Sequence, residues 1–64
     1  MFPFKSYAHE RTCIEQAQRN LRCGEDMDST YYYLMLGGMS PECARQAVHA
    51  AVVGDSELFH KFYG

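Results

Sequence analysis

His9 and Cys13 lie four residues apart, a spacing that brings two side chains onto one face of a helix. An imidazole beside a thiol is the start of a nucleophilic pair, with the ring as base and the sulfur as attacking atom. Such a pair also needs a group to orient the base and donors to hold a developing oxyanion. No Gly-rich elbow or oxyanion-type loop accompanies His9 and Cys13, so no catalytic residue is assigned and the expectation is a chain that is not an enzyme. Metal chemistry is the next test. Cys13, Cys23, Cys43, His9, His49 and His60 supply soft and borderline ligands. Structural zinc wants four of them in tight local pairs. Here Cys43 and His49 are six apart and no Cys-x-x-Cys occurs. The reading is therefore no metal and no cofactor, with the cysteines acting as small buried hydrophobes.

A third chemistry is DNA binding. Residues 29–53 can be drawn as a helix-turn-helix, with a first helix over Thr30–Leu36, a turn over Gly37–Ser40 and a recognition helix over Pro41–Val53. The face that would meet the groove offers Glu42, Arg45, Gln46 and His49. Phosphate binding normally rests on several lysines or arginines. One firm cation against one anion, in a chain of net charge −2, argues against nucleic acid as the partner. A small helix-turn-helix DNA-binding protein is kept as the alternative. Arg11, Arg19 and Arg22 would have to share the recognition side to support it.

The residues that point elsewhere are aromatic. Tyr31, Tyr32 and Tyr33 are consecutive, and three consecutive helical residues span about 200°, so they cannot all face one small core. Phe59, Phe62 and Tyr63 repeat the problem near the C-terminus. Tyrosine joins a large apolar body to a polar tip, which suits it to interface hot spots. These six are the candidate partner-binding residues. The function expected from them is a non-enzymatic protein–protein interaction module, a homodimer or an adaptor.

The elements that must carry these groups follow from pattern. The chain has 64 residues, of which 47% are apolar, enough for one domain with a thin core. A chain this short buries only about 60% of its unfolded surface. Ser6 is an N-cap and Gly24 a C-terminal stop for a helix over Tyr7–Arg22. Tyr7, Glu10, Ile14, Ala17 and Leu21 form its inward stripe, and Glu15 can pair with Arg11 and Arg19. Residues 29–36 combine strand-favouring Thr and Tyr with the lack of any partner strand, which favours a short helix capped by Asp28 or Ser29. Ser40-Pro41-Glu42 is a strong helix start, followed by Ala44, Ala47, Val48, Ala51 and Val52 on one face. Asp55 or Ser56 caps a last short helix. Residues 1–5 read as a flexible arm whose Phe2 and Phe4 can tuck onto the core. The fold class is all-α, with three or four short helices in a small bundle.

Three cysteines cannot complete a disulfide framework, and a reducing cytoplasmic setting fits them. Met1–Lys5 lacks the apolar stretch of a signal peptide, and no run is long enough to span a membrane.

The opening Met1-Phe2-Pro3-Phe4, the lone helical domain, the unpaired cysteines and the tight Gly37-Gly38-Met39-Ser40-Pro41 turn give a general resemblance. The chain resembles the small early accessory proteins of lambdoid bacteriophages, encoded between the exonuclease and excisionase genes. That resemblance implies action on a host or phage protein in the host cytoplasm. It assigns no role to any residue.

Overall fold

A computed structural model describes residues 2–64 as four α-helices. Its organising element is the alanine-rich helix, α3 (Pro41–Gly54). Ser40 accepts from the Cys43 amide and Pro41 occupies the first turn, so the helix starts where a lost N–H costs nothing. Ala44, Ala47 and Ala51 have no exposed surface, and Cys43, Val48 and Val52 are buried beside them. Small side chains over such a wide arc allow close approach from several directions. α1 (Tyr7–Arg22), α2 (Met27–Leu36) and α4 (Ser56–Phe62) all pack on α3, with α1 making the largest interface.

α1 is capped by Ser6, which accepts from the His9 amide. It buries Cys13, Ala17 and Leu21. The inward stripe is therefore turned from the expected one. Ile14 and Glu10 sit half-buried at its edge, and Tyr7 is 81% exposed. The cause is the arm. Phe4 is buried in the core cluster, Phe2 lies against the Tyr7 ring at 5.2 Å, and the Cys43 thiol donates to the Pro3 carbonyl at 2.9 Å. Phe4 thus fills space at the start of α1 that the stripe had assigned to Tyr7. Of the arm, Met1 lies outside the described residues; Phe4 does tuck onto the core.

α1 and α2 end alike. At α1 the Gly24 amide donates to Leu21 and the Glu25 amide to Asn20. At α2 the Gly38 amide donates to Met35 and the Met39 amide to Leu34. These are paired 5→2 and 6→1 closures, and each needs a left-handed residue, supplied by Gly24 (φ 104°) and Gly38 (φ 100°). α2 begins earlier than expected. Its cap is Asp26, whose carboxylate accepts from Ser29 at 2.6 Å, so Met27 and Asp28 join the helix. Residues 29–36 are helical, with Thr30 and Leu34 inside.

Asp55 both starts α4 and ties it to α1. One carboxylate oxygen accepts from the Glu57 and Leu58 amides, while the other pairs with Arg22. Lys61 adds a bond to the Leu21 carbonyl at 3.2 Å, placing a cation at the negative end of α1. Among the described residues the ion pairs belong to Arg22, to Asp55 and more distantly Glu57; the expected Glu15 pairs with Arg11 and Arg19 are not formed. The domain measures 30 × 20 × 17 Å.

Candidate protein-binding surface

The core takes few aromatic rings. Among the nine, Phe4 is buried, Tyr31 and Phe62 are half-buried, and Phe2, Tyr7, Tyr32, Tyr33, Phe59 and Tyr63 are exposed. The six residues singled out from sequence do not form one patch. They divide according to the helical period of α2 and the fold of α4.

Tyr31 and Tyr63 come together. They line a groove of about 320 Å³ between α2, α3 and α4, floored by Met27 and Val48. The Tyr63 hydroxyl donates to the Met27 sulfur at 3.9 Å, and the Phe59 ring lies 5.3 Å from the Tyr63 ring. Asp28, Arg45 and His49 complete the lining with polar groups. Phe62 instead turns inward against the core, with the Lys61 ammonium 5.2 Å from its ring centre. Tyr32 and Tyr33 lie on the outward side of α2 as an edge-to-face pair, with their centroids 6.3 Å apart. With Leu36, 64% exposed, they make a second apolar surface one helical turn long.

Leu36, Phe2 and Val53 are exposed apolar groups outside the six expected from sequence, and Tyr7 is exposed rather than on the inward stripe. The signal for Leu36 was present: it stands four residues after Tyr32, on the same helical face. Phe2 and Tyr7 had none, because their contact depends on the path of the arm.

The thiols and imidazole also meet. His9 Nε2 lies 3.6 Å from the Cys13 sulfur, and the Lys5 amide donates to His9 Nδ1 at 3.2 Å. A ring that accepts at Nδ1 carries its proton on Nε2, so the neutral imidazole points an N–H at Cys13 and has no lone pair there to act as a base. Burial pushes the Cys13 thiol up, with the nearby Cys43 adding to the shift. A nucleophilic thiol needs the opposite. Cys13, Cys23 and Cys43 are all free. No group of three metal-ligating side chains is assembled among the described residues.

The helix-turn-helix outline appears as α2, the Gly37–Ser40 turn and α3. Its recognition helix is packed by the other three helices. The exposed strip left on it carries Glu42, Arg45, Gln46, His49 and Val53. Arg22, one of the cations that would have to help, is drawn to Asp55. No helix among the described residues is long and apolar enough to cross a membrane. Comparison of the chain with family models, with curated proteins and with solved structures finds no match.

Proposed function

We propose that this chain is a non-enzymatic protein–protein interaction module that acts as a homodimer, as an adaptor on a host or phage protein, or as both. The observation that carries the reading is the fate of its rings: six of nine aromatic side chains face solvent in a domain whose core is built mainly of Ala, Cys, Val and Leu. Exposed aromatics that cluster, as around Tyr63 and around Tyr32, gain most by burial against another chain. The homodimer form is tested by sedimentation equilibrium between about 1 and 100 μM, the range of weak specific contacts. A shift from monomer to dimer is expected. A single monomeric species throughout refutes self-association.

The alternative, a helix-turn-helix DNA binder, is favoured by one feature, the short glycine turn joining α2 to α3. It predicts retention on duplex DNA that falls steeply with salt. The protein-binding reading predicts no such retention.

A further inference from the structure

We propose that the groove between α2, α3 and α4 is the dimer interface, closed by the same groove of a second copy across a two-fold axis. The inference rests on the homodimer form of the reading above and adds the face and the pairing. Three observations carry it. The floor is apolar and partly open, formed by Met27 and Val48 and edged by Tyr31 and Tyr63. The polar groups of the lining include one carboxylate, Asp28, and one guanidinium, Arg45. Among the described residues neither forms an ion pair within its own chain, although both line the same groove.

A surface with one anion and one cation beside an apolar floor is complementary to itself. A two-fold axis makes each contact twice, so residue i meets j and j meets i. Asp28 of one copy then faces Arg45 of the other, and the reverse pair forms at the opposite end. The floors close on each other, and the rings of Tyr63 and Phe59 are buried at the edge. The outer face of α2 has no such character. Tyr32, Tyr33 and Leu36 carry no charge to set a register, so nothing there selects a second copy over any other apolar surface.

Charge reversal is the test. Arg45→Asp sets two like-charged contacts at the interface, and Asp28→Arg does the same with the opposite sign. Each single variant should weaken the dimer at least about tenfold, since like charges in apposition disfavour a complex strongly. The double variant Asp28→Arg/Arg45→Asp restores opposite charges and should return to within about threefold of the parent. Tyr63→Ala should weaken association, and Tyr32→Ala should leave it unchanged. In the unaltered protein, the dissociation constant should rise with added NaCl, a readout that needs no variant. Helical circular dichroism at low concentration checks that each variant folds, and both charged positions are exposed. If a dimer forms but ignores the single reversals, or the double variant does not recover, or Tyr32→Ala weakens it, the groove is the wrong face while self-association stands. If the parent is monomeric throughout, the homodimer reading fails and this inference with it.

Discussion

At the scale of single residues, two side chains carry much of what can be measured. Thr30 is fully buried, and its hydroxyl has no hydrogen-bond partner among the described residues. A buried donor left unmade disfavours the fold, and removing it in a group of the same shape relieves that penalty. Thr30→Val should therefore raise stability by about 1 kcal/mol in chemical denaturation. A destabilised valine variant would mean that the hydroxyl is satisfied. Asp55 is the second. The Arg22 guanidinium holds its carboxyl below the ordinary carboxylate range, outweighing an opposing effect of burial and helped to a lesser degree by the Leu58 and Glu57 amides. The Ser29 amide and hydroxyl do the same for Asp26. A carboxyl lowered on folding stabilises the native state above its unfolded value, and that stability is lost as pH falls through the folded value. The acid limb should thus lie below about pH 4. Asp55→Asn should lower the melting temperature at pH 7 and flatten this limb, leaving the share due to Asp26. An unchanged acid limb in Asp55→Asn refutes the linkage. Neither residue's tertiary role was legible in the sequence. Asp55 was readable as a helix cap from local chemistry, but its bond to Arg22 joins positions 33 residues apart.

At the scale of elements, what the sequence makes legible is what local chemistry decides. Ser6, Ser40 and Asp55 are caps because a side-chain oxygen next to a helix start satisfies an orphan amide whatever the rest of the chain does. The alanine face of α3 was readable because its spacing admits one inward side. The start of α2 was not, since Asp26, Asp28 and Ser29 are all good caps and packing selects among them; the Asp26 start brings Met27 against the core. The stripe of α1 was misread for a related reason, because the ring that fills the space beside it comes from Phe4. Two predictions belong here. Ser40→Ala removes the bond to the Cys43 amide and should cost about 1 kcal/mol, or roughly 4–8 °C in melting temperature for a domain of this size. Ala47→Glu and Ala51→Glu should each unfold the domain, because a carboxylate would be forced into a position with no exposed surface. Arg45→Glu, on the exposed side of the same helix, should keep the fold. Equal melting temperatures for all three would overturn the assignment of the packing face.

At the scale of the whole molecule, the question is what supplements so thin a core. Among the described residues the three cysteines are free and no group of three metal-ligating side chains is assembled. The domain should accordingly keep its helical circular dichroism in EDTA and reductant. Association remains as a source of stability. A single-core chain of this length has only a few kcal/mol to draw on, so a second copy that binds the folded form alone raises stability by mass action. In the dimer proposed above, the groove and its neighbouring rings are where such a copy would gain apolar contact, with Asp28 and Arg45, which line the groove, meeting opposite charges across the two-fold axis. The melting temperature should therefore rise with protein concentration, by about 5 °C or more over a hundredfold increase from the micromolar range. Arg45→Asp should flatten that dependence while leaving the low-concentration melting temperature close to the parent value, since Arg45 is exposed and forms no ion pair among the described residues. A melting temperature independent of concentration in the parent would show that the fold stands without a partner copy. Concentration dependence that survives in Arg45→Asp would place the stabilising contact on another face, with Tyr32, Tyr33 and Leu36 the next surface to vary.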